Sequence, residues 1–565
     1  MKQKSEVECD SDDELSETVS MFEAEVINQS IDESISPTVE DGVRQEKDDT
    51  QISSPQMRIR LTEFAKTCDR YGISDRSAAA LASSVLQDVG IITTENLSNV
   101  IDRSKVRRER QKARSDLRCI GQLSAKPLWG VFFDGRKDRT IVQVKKGDKY
   151  YRQTITQEHV TIIQQPESNY IGHISPESGT AKSITASLVE FFEKNKIDTK
   201  FIEAIGCDGT VVNTGNKGGV ITLLEQQLKK PMQWLVCLFH YNELPLRHLF
   251  KHLDGITSGP RGFCGVIGKQ LETCEQLPLV QFEKIDGNLP IIEENIVNDL
   301  STDQKYLFEI SKAICSGNCA IDLSRRDPGR MVHSRWLTMA NRVLRLYVGS
   351  ESPSLNLKTL ATYIVKVYAP MWFFIKSNSS CKDGARHLWR SIELSRYLDE
   401  KVRDVVDAVI QRNGFFGHPE NILLSMLSDE RLNIRELGLR RILKARSNVL
   451  TSSNVIRIFQ VPPFNFQATN YIDLIDWQEC DITEPPLIFK YSDEELRTFV
   501  AQKEVPEFER FPCHTQSVER GVKLVTEASA AVCGTDARDG FIRARIDSRK
   551  DMPYFNTKSD FVAKK

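Results

Sequence analysis

Extended apolar runs and helical stripes alternate through the first half of the chain, and helical stripes fill most of the second half. Leu128–Phe133, Thr140–Val144, Tyr150–Thr156, Val160–Ile163 and Tyr170–Ile174 read as extended pieces. The second and third flank Gly147-Asp148, the mark of a hairpin. Thr180–Lys194 is amphipathic, with Ile184, Leu188 and Phe191 on one face. Phe201–Cys207 is a strand that ends on Asp208, and a Gly- and Asn-rich turn follows. Val220, Leu224 and Leu228 then recur at helical spacing until Pro231 stops the helix. Met232–Leu238 is the next strand, with Cys237 and His240 at its end. Such a strand–turn–helix–strand unit predicts parallel strands joined by a right-handed crossover. Open α/β sheets place their sites at the carboxyl ends of such strands, where Asp208, Asn213, Cys237 and His240 fall. Asp134 closes the first apolar run in the same way. Asp-Gly is also a common turn pair, so Asp208 alone decides nothing.

From about Leu244 the pattern becomes helical: Gln304–Cys315, Ser334–Tyr347, Leu357–Ile375, His387–Arg412 and Pro419–Ala445. Residues 451–488 are irregular and hold several prolines. Near the end, Val518, Val522, Val525, Ala528 and Val532 form one helical stripe, with Thr515 placed to cap it and Glu519 beside it. Upstream of the strands, Leu61, Phe64 and Cys68 fit one helix face, and 78–89 and 101–118 predict two more helices. The chain therefore divides into an acidic disordered tail (1–55), a helical basic region (56–120), the first part of an α/β core (121–243), a helical block with an irregular connection (244–510), a final core helix (511–545) and a loose tail (546–565).

The 565 residues suffice for two or three cores. No run of about 18 apolar residues occurs, so no membrane partner is expected. The thirteen cysteines lack paired spacing and read as reduced thiols. Charge changes the picture more. The formal net charge is −2, but the first fifty residues hold 16 Asp or Glu against 4 Lys or Arg, which leaves the remainder at +10. A basic body suits a polyanion. Its densest run is 105–118, with Lys105, Arg107, Arg108, Arg110, Lys112 and Arg114. Such a run serves as a phosphate-contacting helix, a nuclear import signal or simply a solvated helix face.

Two carboxylates on neighbouring strands and a third on a late helix can hold Mg²⁺ or Mn²⁺, which prefer oxygen ligands. Two such ions about 4 Å apart clamp both oxygens of a phosphodiester displacement. Strand ends often carry Asp, so spacing alone does not select this chemistry. Order along the chain adds to it. GVFFDGRKD with Asp134, GCDGTVVNTG with Asp208, a helical block, and TQSVERGVKLV with Glu519 follow one another. CLFH supplies Cys237 and His240, the block supplies Arg335 and Trp336, and Arg520 follows Glu519.

From about Pro127 to Val532 this order resembles DDE transposases of the hAT superfamily. The resemblance implies an α/β fold: an RNase H-like mixed sheet core interrupted by a large all-helical insertion domain. It implies Asp134, Asp208 and Glu519 as catalytic metal ligands for Mg²⁺ or Mn²⁺, with DNA as partner in the nucleus and a second copy of the chain as a further partner. Trp336 would then stack near a DNA end with Arg335 beside it, or else pack in the helical core. Cys237 and His240 would orient DNA or serve packing. In place of the family's Trp after the first Asp stand Gly135 and Arg136, and no zinc finger precedes the core. Arg136 also occupies the place where a proofreading exonuclease needs an acid. The other readings are a catalytically inactive, host-retained scaffold that binds DNA or protein, and a metal-dependent nuclease outside transposition.

Overall fold

A polar interruption in an apolar pattern need not end a strand when a partner strand satisfies the backbone throughout. The computed structural model, which describes residues 60–122, 127–256, 262–331, 336–448, 457–503 and 506–551, shows this at once. The first two extended pieces form one strand, β1 (Gly130–Lys146), and the next two form β2 (Lys149–Gln165). They pair antiparallel along their whole length, from Gly130↔Gln165 to Lys146↔Lys149. Gly147, at φ +62, supplies the left-handed turn residue between them. β3 (Asn169–Ile174) pairs antiparallel with β2. β4 (Ala204–Cys207) and β5 (Gln233–Val236) pair in parallel, β4 on β1 and β5 on β4. The sheet order is β3-β2-β1-β4-β5, a mixed five-stranded sheet.

Alternate strand residues divide two cores, as period-two geometry requires. Val131, Phe133, Ile162, Ile205 and Trp234 meet helices Ala181–Lys194 and Val220–Leu228 through Ile184, Leu188, Val220 and Leu224. Phe132, Ile163 and Leu235 face the other way, into a larger core that includes the helical block and Val518 and Val525. Every residue of β4 and β5 is buried, the signature of parallel strands covered on both faces. At Gly206 a Cβ would come within 2.5 Å of the Phe132 ring, so only glycine lets β4 lie this close to β1.

The helical block begins at Leu238, not Leu244: helix Leu238–Asp254 follows β5 with only Cys237 between them. Three of the long helices expected from the sequence are each broken, for local reasons. Leu355–Tyr363 passes through a π-turn, Ile364–Tyr368, into Ala369–Ser377, because Pro370 cannot donate to the preceding turn. Gly384–Ser395 and Glu400–Asn413 are separate because Asp399 caps the second by accepting from the Val402 amide. Pro419–Leu427 and Leu432–Asn448 part at Asp429, whose carboxylate accepts from the Arg431 amide, twice from the Arg431 guanidinium and once from Tyr471. Among the described residues no helix is long and apolar enough to cross a membrane. The acidic tail, 1–55, lies outside the described residues. The loose tail expected from residue 546 starts inside a helix, Thr535–Asp551.

That last helix explains the basic run. Helix Arg103–Gln122 packs against both the N-terminal helices and Thr535–Asp551, which also touch each other. The Asp69 carboxylate, 2% exposed, accepts from Arg110 (2.5 and 2.8 Å) and from Arg114 (2.7 and 2.8 Å). Arg110 also donates to Asp75, and Arg114 to Asp536. Arg118 reaches Asp536 and Asp539. Lys105 is buried against Glu109. The expectation that the whole run meets phosphate is thus corrected for Lys105, Arg110 and Arg114, which are spent inside the protein. Arg107, Arg108 and Lys112 point outward, Arg107 at 3.4 Å from Asp75. Removing one partner of a buried ion pair typically costs about 3–5 kcal/mol because the remaining charge is stranded. Asp69→Ala removes the buried partner that Arg110 and Arg114 share and leaves them only Asp75 and Asp536 as acidic partners, so urea unfolding should show a loss approaching that size. A loss no larger than that of a surface substitution, about 0.5 kcal/mol, contradicts the role given to this network.

Candidate active site

Two Asp residues reach one edge of the sheet by register alone. The β1–β4 ladder runs Gly130↔Ala204, Val131↔Ile205 and Phe132↔Gly206. Continued by two residues, it sets Asp134 beside Asp208. Asp134 is not at a strand end, as the apolar run suggested, because β1 continues and pairs Asp134 with Thr161 of β2. It is β4 that stops, at Cys207. Both carboxylates therefore emerge at the carboxyl rim of the parallel pair.

Each is oriented locally. One Asp134 oxygen, Oδ1, accepts from the Gly135 amide at 2.8 Å. Asp208 Oδ1 accepts from the Thr210 amide (3.2 Å), the Thr210 hydroxyl (2.8 Å) and Asn213 Nδ2 (2.6 Å). This is an Asx-type turn, and it holds the carboxylate in one orientation. The His240 ring lies against Gly209, where a Cβ would come within 3.0 Å of it.

Glu519 arrives by tertiary packing. It lies in the first turn of helix Gln516–Ala531, whose buried stripe includes Val518, Val522, Val525 and Ala528. The helix rests on β1 and β2. At Gly521 a Cβ would come within 2.7 Å of Thr161 Cγ2, so glycine sets the closeness of approach. Gln165 Nε2 donates to Ser517 at 2.7 Å and fixes the helix along the strand. Thr515 does not cap the helix as expected. Its backbone is not extended, and its hydroxyl donates instead to Glu519 Oε1 at 3.0 Å.

The cluster is electrostatically strained. Burial pushes the Asp134 carboxyl well up, and the carboxylates of Asp208 and then Glu519 push it further; the Gly135 amide and Arg136 oppose this. Asp208 and Glu519 are thus each near enough to act on Asp134. Among the described residues, however, no group of three or more His, Cys, Asp or Glu closes to metal-ligand spacing. Mutual repulsion between like charges opposes closer approach.

Other residues singled out from the sequence take different places. Cys237 is 1% exposed and is no surface contact. Its sulfur accepts from the Thr515 amide at 3.4 Å, while the Leu238 amide donates to the Cys513 carbonyl at 2.9 Å. Burial, followed by Glu519, pushes the thiol up to about 12. Cys237 thereby ties the end of β5 to the segment that delivers Glu519. Trp336 is 3% exposed and packs edge-on to Phe250 at 5.7 Å, so its indole belongs to the core and offers no stacking surface. Arg335 lies outside the described residues. Arg520 is exposed and faces Asp299 at 3.7 Å. The sequence reading missed Thr210, Ser517 and Gly521. Thr210 was detectable as the Asx-turn partner two residues after Asp208; Gly521 and Ser517 depend on contacts with a distant strand.

A group whose folded pKa is raised adds stability below its unfolded pKa and loses it as pH rises through the folded value. In metal-free buffer at neutral pH, Asp134→Asn should therefore melt higher than the parent, and the gap should close as pH falls below the ordinary carboxylate range. Thermal melts across pH check this; a variant that melts lower at neutral pH contradicts it.

No protein-family profile and no curated protein matches the chain, so the reading of this site rests on its own geometry.

Proposed function

We propose that this chain is a DDE-type DNA-processing protein related to hAT transposases, cutting or joining phosphodiesters with Asp134, Asp208 and Glu519. The observation that carries the reading is that Asp208, two residues past the β1–β4 ladder, and Glu519, 311 residues further along, both lie near enough to act on the Asp134 carboxyl. A folded chain gains nothing in stability from placing like charges together, so such a cluster points to function. The layout around it supports the same reading. The mixed sheet is followed, after the strand beyond the second Asp, by a block of helices, and the last acid returns on a late helix. This order agrees with what the resemblance implies, an RNase H-like core with a helical insertion, and we adopt that reading as part of the proposal.

The donor type, all carboxylate oxygen, is the one Mg²⁺ and Mn²⁺ prefer, and the carboxylates would have to draw closer to hold an ion together. Mg²⁺ keeps several waters and takes one or two carboxylates rather than a closed protein cage. A raised Asp134 carboxyl signals negative charge that a cation would balance. Asp134 and Asp208 would hold such an ion, with Glu519 beside it. A bound ion supplies Lewis-acid polarisation of the phosphodiester and neutralises the charge that builds on its oxygens. The protein's own groups orient and position. Thr210 and Asn213 lock Asp208, Thr515 locks Glu519, and His240 lies against Gly209, within reach of substrate held there. DNA affinity does not need the buried cations of helix Arg103–Gln122. Nuclear residence and self-association follow from the transposase reading alone.

A Mn²⁺-dependent nicking assay on linear and hairpin DNA tests this. Asp208→Asn should lower the rate roughly 10²-fold or more, since Lewis-acid stabilisation supplies several kcal/mol. Equal rates for variant and parent would remove the catalytic role. A parent without metal-dependent nicking, but binding DNA, would leave the scaffold reading in its place.

A further inference from the structure

The hairpin that carries Asp134 does not stop at the sheet. β4 pairs with β1 only at Gly130–Phe132, and β3 pairs with β2 only over Val160–Gln164. Beyond those stretches, among the described residues, β1 and β2 pair with each other alone. The hairpin is last anchored at Thr140, which is fully buried and lies 2.6 Å from His159 Nε2. From Lys149 to Thr156 every residue of β2 is exposed. A two-stranded ribbon without a covering layer is marginally stable in water, so its length calls for an explanation outside the fold.

Its chemistry narrows the explanation. Residues 135–158 hold seven Lys or Arg against three Asp or Glu. Lys145, Lys146, Lys149 and Arg152 crowd the tip, together with Tyr150 and Tyr151, which are 61% and 49% exposed. In register, Lys145 faces Tyr150 and Gln143 faces Arg152, while Lys146 faces Lys149.

We propose that this ribbon is a DNA-binding arm that enters the major groove of the duplex next to the Asp134–Asp208–Glu519 site. The proposal rests on the DNA-processing reading above and adds where and how the duplex is held. The major groove of B-DNA admits a two-stranded β-ribbon, whereas the A-form RNA major groove is too deep and narrow. The tip cations meet phosphates on the groove walls, and the tyrosine hydroxyls can donate to phosphate or sugar oxygens. Reach agrees with this. Lys145 is eleven residues from Asp134 on one strand, about 36 Å at roughly 3.3 Å per residue, close to one turn of duplex. Arg136, at the root of the ribbon, already acts on Asp134 electrostatically, so the arm continues directly from the site.

The test uses the full-length protein and a labelled linear duplex, with binding read by anisotropy across a salt series and no divalent metal present. Combining Lys145→Gln, Lys146→Gln and Arg152→Gln should make the log–log salt slope shallower by about 2–3, since each lost phosphate contact removes about 0.9. Footprinting should lose protection about one helical turn from the position at which the parent nicks the same duplex when Mn²⁺ is supplied. The three positions are exposed, so the melting temperature should not change, and this separates lost contacts from lost fold. A second variant, Tyr150→Ala with Tyr151→Ala, should weaken binding with little change in slope. Unchanged slope, affinity and footprint in the Gln variant overturn the proposal. So does a parent that binds duplex RNA or an acidic polypeptide as tightly as duplex DNA, or does not bind DNA at all. The two readings fail separately. If Asp208→Asn nicks like the parent while the ribbon variant loses affinity, the arm stands and the reaction falls. If Asp208→Asn is inactive while the ribbon variant binds like the parent, the arm alone falls.

Discussion

The close approach of Gly521 to Thr161 is the contact on which the site depends. Asp134 and Asp208 are placed by backbone register, which hydrogen bonds set to within one residue. Nothing local places Glu519. Its helix must lie flat on β1 and β2, and a side chain at residue 521 would collide with Thr161. The stripe Val518, Val522 and Val525 supplies the apolar attraction, and Gln165 to Ser517 fixes the position along the strand. The Cys237–Thr515 contact then ties this helix to the end of β5. Four separate contacts thus converge on one carboxylate that repels its neighbours.

A second network holds the termini of the described chain to each other. Asp69, Arg110, Arg114, Arg118, Asp536 and Asp539 join helices from the two ends. Thr535–Asp551 directly follows the helix that carries Glu519 and packs on it. The cations that look from the sequence like a nucleic-acid surface therefore act largely as internal fasteners. Outward cations remain on that helix at Arg107, Arg108 and Lys112, and on the β1–β2 ribbon at Lys145, Lys146 and Arg152.

Legibility followed the range of the interactions. The parallel β4–β5 unit was readable because it is local: a run, a turn, a stripe and a stopping proline. Asp134 and Asp208 were readable for the same reason. The length of β1 was not, because polar residues 135–139 hide a strand that is held by its partner rather than by a core. The breaks at Ile364–Tyr368, Asp399 and Asp429 were missed because apolar periodicity persists across them. Burial was the hardest property to read. For Cys237 and Trp336 the sequence left DNA contact and packing both open, and Lys105, Arg110 and Arg114 belong to a run that reads as surface cations; only tertiary contacts show all five inside.

The central claim is that Asp134, Asp208 and Glu519 share a divalent cation. Anomalous diffraction from crystals soaked in Mn²⁺ tests it most directly. The account predicts a peak within about 2.0–2.2 Å of carboxylate oxygens of both Asp134 and Asp208, with Glu519 turned toward it. Mn²⁺ found only elsewhere on the protein, with these three carboxylates unmoved, would contradict it.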